Sequence, residues 1–127
     1  MARSVYVTSS EGHTGKAAVA LGLLELFAPQ VRVGVFRPIT KGGDARDSVL
    51  EFLLHHGGVD LDYAQCIGVT YADVHADPDA ALAAIVTRYR SLEALCDAVV
   101  IVGSDYTDVT SPTELSYNAR IATNVGS

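Results

Sequence analysis

Val5-Tyr6-Val7-Thr8, then Ser9-Ser10-Glu11-Gly12-His13-Thr14-Gly15, then Lys16-Ala17-Ala18-Val19-Ala20-Leu21-Gly22-Leu23-Leu24-Glu25-Leu26-Phe27 is the stretch on which the fold turns. Val5–Thr8 is short and β-rich. The polar loop behind it carries two glycines. From Lys16 on, Val19, Leu23, Leu26 and Phe27 recur at helical spacing with Ala20 and Leu24 beside them, and Pro29 closes the helix. A strand running through a glycine loop into a helix brings backbone N–H groups and the positive end of the helix dipole to one point. That geometry suits an anion.

The loop is close to GxxxxGK[ST], the pattern whose backbone cradles phosphates, whose Lys adds a point charge and whose hydroxyl holds Mg²⁺. Gly15 and Lys16 match, but Ser10 stands at the first glycine and Ala17 at the hydroxyl. Alanine ligates nothing. Ser10, Glu11, Gly12, His13, Thr14, Gly15 and Lys16 therefore read as a phosphate- or nucleotide-binding loop that has lost its usual metal ligand. His13 is either a donor to the phosphate or a surface histidine. The competing reading of the whole loop is a plain strand-to-helix turn with Lys16 in solvent.

Working outward, Val31–Phe36 reads as a second strand closed by Pro38. Asp44 or Asp47 caps a helix through His55 whose apolar face is Val49, Leu50, Leu53 and Leu54, stopped by Gly57 and Gly58. A short strand around Cys66–Val69 and a helical turn at Tyr71–His75 follow. Asp77-Pro78 opens a helix with the stripe Leu82, Ile85, Val86, Tyr89, Leu92. Ala98–Val102 is a continuous apolar run, as in a strand buried on both faces. After the polar loop Gly103–Thr110, Ser111-Pro112-Thr113-Glu114 is a capping box for a last helix reaching Gly126. The alternation predicts an α/β fold, a parallel sheet sandwiched by helices with right-handed crossovers. We expect one domain over residues 1–127 with three strong strands, incomplete because a further strand should follow the last helix. Its unpaired edge should favour association.

The chain has 127 residues, 49% apolar and 19% charged, with a formal charge of −6. These values suit one folded domain and argue against a basic nucleic-acid surface. No apolar run reaches the ~18 residues a membrane span requires, and no cleavable leader is evident at the start, so a cytoplasmic location is expected. Cys66 and Cys96 lack zinc-site spacing and read as buried thiols. Arg37 falls at the carboxyl end of the second strand, where parallel sheets bind ligands. It reads either as an anion contact, with Lys41 nearby, or as a solvated strand end. Ser104, Asp105 and Asp108 follow the third strong strand at the same edge; for the two acids, turn chemistry is the preferred reading over metal binding. His55, His56 and His75 have no clear ligand partner. No GxSxG or HExxH pattern occurs.

Together VYVTSSEGHTGKAAVALGLLE, VGVFRPIT and VIVGSDYTDVTSPTELSYNARIA resemble the N-terminal domain of long-form phosphate acetyltransferases, with Gly103–Ala122 the most specific part. In that family the domain is similar to dethiobiotin synthetase and has the phosphate-loop NTPase fold. The resemblance implies a parent reaction, acetyl-CoA plus phosphate to acetyl phosphate plus CoA, catalysed by a C-terminal domain not contained in these residues. It also implies a regulatory role here, without catalytic or metal-binding residues. Where dethiobiotin synthetase has Gly-Lys-Thr, this chain has Gly15-Lys16-Ala17; where it has a metal-binding Glu, this chain has Val102-Gly103; Arg37-Pro38 stands at its Lys-Pro. The implied ligand is a nucleotide or other phosphate-bearing metabolite. The implied partners are the rest of the parent chain, further copies of it and a small-molecule effector, with neither nucleic acid nor membrane. Two alternatives stay open: an active ATP-dependent enzyme of the dethiobiotin synthetase type, and a purely structural oligomerisation domain.

Overall fold

The computed structural model describes residues 3–8, 15–42, 46–56, 58–103 and 111–126, the side chains of 111–116 excepted. Four parallel strands make one sheet: β1 (Arg3–Val7), β2 (Val33–Thr40), β3 (Ile67–Thr70) and β4 (Ala98–Val102), in the order β1-β4-β2-β3. The helices are α1 (Lys16–Phe27), α2 (Ser48–His56), α3 (Tyr71–Ala76), α4 (Pro78–Glu93) and α5 (Ser111–Val125), with a 3₁₀ turn at Tyr63–Cys66. Among the described residues the strand count is therefore four, since the short run near Cys66 does join the sheet.

β4 is the centre. Its side chains alternate between two cores, as the period of a strand requires. Val100 and Val102 enter the core beneath α1 and α2, with Leu24, Val35, Leu50 and Leu53. Val99 and Ile101 enter the core beneath α4 and α5, with Phe36, Ile85, Tyr89 and Ile121. Phe36 and Tyr89 meet edge to face, centroids 5.5 Å apart.

β2 does not stop at Pro38; it runs to Thr40 with all eight residues buried. Its pairing changes hands on the way. Val33–Phe36 pair with β4, and Arg37, Ile39 and Thr40 pair with β3. The missing N–H of Pro38 thus falls beyond the last β2–β4 pair, Phe36↔Ile101, where no ladder requires it. Gly68 of β3 lies so close that a Cβ there would sit 2.3 Å from the Pro38 carbonyl oxygen.

Helix starts follow the sequence closely. Asp47 caps α2, its Oδ1 accepting from Leu50 N–H at 2.9 Å, and the other candidate, Asp44, lies outside the described residues. Asp77 caps α4 through Ala80 N–H at 3.1 Å, with Pro78 in the first turn. Thr70 and Asp73 form a reciprocal capping box for α3. Its backbone and hydroxyl donors hold the Asp73 carboxyl below its usual range. The capping box expected at Ser111–Glu114 lies outside the described side chains. Cys66 and Cys96 are free and buried, and burial pushes the Cys66 thiol up to about 12.

Candidate functional site

The carboxyl ends of all four strands lie on one edge of the sheet, where the sequence placed the phosphate-binding loop. Gly15 caps α1 in the left-handed region, φ 79°, which glycine adopts at little cost. Its carbonyl accepts from Ala18 and Val19 N–H, so the first turn of α1 closes on it. Lys16, next in line, is 7% exposed. The solvated-lysine reading therefore fails at that residue. A side chain this buried at the first position of a helix lies against the protein, not in bulk water. Ser10, Glu11, Gly12, His13 and Thr14 lie outside the described residues, as do Ser104, Asp105 and Asp108.

Arg37 is not a solvated strand end either; it is 3% exposed. Its Nε meets Asp47 Oδ2 at 3.1 Å, and its Nη1 donates to the carbonyls of Val102, at 3.3 Å, and Gly103. The anion in front of Arg37 is thus a carboxylate of the chain itself. Asp47 is held in turn from several sides. It caps α2, and its backbone N–H donates to the Tyr63 hydroxyl at 2.7 Å. The Arg46 guanidinium stacks over the Tyr63 ring, 4.2 Å from its centroid. One network therefore ties the end of β2, the start of α2 and the exit of β4.

A second network closes the other side of that exit. Tyr6 of β1 donates its hydroxyl to Asn118 Oδ1 of α5 at 2.6 Å, and Asn118 is 1% exposed. Gly103 sits between them, where a Cβ would meet Asn118 Oδ1 at 2.8 Å and both Thr8 Oγ1 and Tyr6 at 3.0 Å. Only a residue without a side chain leaves room for three elements to converge there. The sequence reading missed Tyr6, Asn118 and Asp47 as edge residues. Asn118 did carry a signal: it lies on the stripe Asn118, Ile121, Val125, the polar member among the described side chains of that buried face.

The positions that would supply Mg²⁺ ligands are now placed. Ala17 is half-buried in the first turn of α1, and Val102-Gly103 are buried at the end of β4. Neither offers an oxygen-bearing side chain. Among the described residues no group of three or more His, Cys, Asp or Glu side chains could hold a metal ion. No described helix is long and apolar enough to cross a membrane.

A four-stranded parallel sheet whose first strand enters a helix through a Gly-Lys turn defines a phosphate-loop NTPase-like domain of the dethiobiotin synthetase kind. A family model described as AAA domain matches residues 3–127, and the chain belongs to that family. The chain is also similar to two phosphate acetyltransferases. That of Nitratidesulfovibrio vulgaris is 32% identical over 134 residues, covering 99% of this chain, and that of Synechocystis is 28% identical over 130 residues, covering 96%. The chain spans 19% of the length of each, about a fifth.

Proposed function

We propose that this chain is the N-terminal phosphate-loop domain of a phosphate acetyltransferase, not catalytic by itself. It binds a phosphate-bearing metabolite at the carboxyl edge of its sheet and passes that binding on to the rest of the enzyme as regulation. The observation that carries this reading is the turn at Gly15-Lys16. A left-handed glycine opens α1 with a buried lysine behind it, in a chain that belongs to this family over residues 3–127 and is similar along nearly its whole length to part of two phosphate acetyltransferases.

The division of labour follows from the side chains. The partial positive charge at the N-terminus of α1 and the charge of Lys16 supply attraction for phosphate oxygens. Ala17 and Val102-Gly103 supply no metal ligand, so binding is expected without Mg²⁺ assistance. Phosphoryl transfer depends on a metal that neutralises charge between the phosphates, whereas binding an anion does not. Arg37 serves as a positioning residue, holding the exit of β4 through Val102 and Gly103 rather than reaching for the ligand with the groups that face Asp47.

Calorimetric titration with ATP, with and without Mg²⁺, tests this. Binding that is lost in Lys16→Ala and indifferent to Mg²⁺ is the expected result. ATP hydrolysis abolished by Lys16→Ala would instead establish a working enzyme, and no heat from either protein would remove the site.

A further inference from the structure

Away from the phosphate edge, an open cleft of about 250 Å³ lies where the 3₁₀ turn Tyr63–Cys66 and the first residue of β3 meet the C-terminal half of α4. That is just below the ~300–1,000 Å³ of typical small-molecule sites, so the cleft suits a small occupant. Its floor is apolar. Ile67 packs with the core beneath α1 and α2, and Leu92, 1% exposed, belongs to the core beneath α4 and α5. The cleft therefore lies across the β3 edge of the sheet, between the two layers of helices. Leu95 lines it as well and is 44% exposed, an aliphatic side chain left in water.

The polar groups that line the cleft favour an occupant that accepts hydrogen bonds. Gln65 turns its Oε1 back to Asp62 N–H at 2.9 Å, within the capping box of the 3₁₀ turn, which leaves Nε2 as the end for a ligand. The Ser91 hydroxyl donates to the Thr87 carbonyl at 3.3 Å. Arg88 supplies the one charge among the lining residues. Arg32, Arg37, Arg46, Arg90 and Arg120 are each held by a carboxylate of the chain. Arg88 has no such ion pair among the described residues. Asp73 of α3 lies within reach of its field, but that carboxyl is engaged with Thr70. Arg88, Leu92 and Leu95 follow one another at helical spacing, so the guanidinium and the apolar floor share one face.

We propose that this cleft is a second ligand site, which takes a small carboxylate with an apolar body. The guanidinium fork of Arg88 matches the two oxygens of a carboxylate, and Gln65 Nε2 adds a donor beside it. The body would cover Ile67, Leu92 and Leu95. A phosphate group fits less well, because the cleft flanks the C-terminal half of α4, whose partial negative charge opposes a second charge on the ligand. A neutral apolar ligand would leave Arg88 with nothing to bind. The site shares no residue with the Gly15-Lys16 turn and stands whether or not that turn binds phosphate.

Ligand-observed saturation-transfer NMR on the full-length protein tests the site. Isovalerate is the probe, and isoamyl alcohol, of similar shape without the charge, is the control. Isovalerate should bind with a Kd on the order of 1 mM. Arg88→Met keeps an unbranched stem and removes the guanidinium; it should weaken binding on the order of tenfold, and so should exchange of the acid for the alcohol. Leu95→Asp sets a carboxylate against the apolar body and should abolish binding. Both residues are exposed, and thermal melts check that each variant stays folded. Equal binding by the wild type and a folded Arg88→Met would overturn the proposal. So would an alcohol that binds as tightly as the acid, a comparison made on the wild type and independent of any variant. Absence of isovalerate binding to the wild type would also overturn it, and would leave the cleft to a side chain from elsewhere in the protein.

Discussion

Two clamps hold the exit of β4, built from opposite materials. On the β2 side, Arg37 and Asp47 bring opposite charges together at 3% and 5% exposure, with Arg37 also donating to the carbonyls of Val102 and Gly103 and Asp47 accepting from Leu50 N–H. On the β1 side, Tyr6 and Asn118 do the same task with a neutral hydrogen bond. A buried charge pair holds its geometry because breaking it strands a charge, even where the intact pair adds little net stability. A neutral pair is softer, since losing one partner leaves only an amide or hydroxyl short of a contact. The edge is thus stiff where β2 and α2 meet β4 and more yielding where α5 does. Any movement of the Gly103 exit on ligand binding is expected on the α5 side.

The comparison can be broken in order of effect. Asp47→Ala removes both the carboxylate facing Arg37 and the cap of α2; a loss of about 3–5 kcal/mol in denaturant unfolding is expected. A loss below about 1 kcal/mol would mean the charged clamp is not stiff. Gly103→Ala presses a methyl group onto Asn118, Thr8 and Tyr6, and should cost about 1–3 kcal/mol by overpacking. Tyr6→Phe deletes the neutral hydrogen bond alone and should cost about 1 kcal/mol. If it matches Asp47→Ala, the two clamps are equals and the asymmetry is gone. The smallest effect lies outside both clamps. Asp73 has its carboxyl held below the ordinary value of 3.8 by Thr70, so its contribution is full above that value and fades as pH falls through the lowered one. A carboxyl titration by NMR should show this, with α3 loosening in acid and Asp73→Asn removing that pH dependence.

The legible parts of the sequence were those where local chemistry decides. α1 begins at Lys16 and α4 at Pro78 because a glycine turn and an Asp-Pro start leave the backbone few choices. β4 is readable because a strand buried on both faces must be apolar throughout. Pro38 misled, because whether proline ends a strand depends on which neighbour needs its N–H, and that neighbour is distant in sequence. β3 was discounted because four residues carry little periodicity; its place is fixed by Gly68 beneath Pro38. At the candidate site, Gly15, Lys16 and Arg37 were named from their positions along the chain. Their burial was not foreseen, since it depends on Asp47, Val102 and Gly103 arriving from other elements.

The order of strands in space is not their order of synthesis. β4 is made last of the four yet lies between β1 and β2, with Arg3 opposite Ala98 and Val33 opposite the same residue. A nascent chain that has released β1, α1 and β2 therefore has no sheet to close. β3 can join β2 once it emerges, but β1 and the Val33–Phe36 part of β2 have no partner until the run Ala98–Val102 clears the ribosome and joins them. Contacts this distant make for slow folding and a window open to wrong pairings. The central position of β4 makes folding of the sheet close to all-or-none, with the last strand as its keystone.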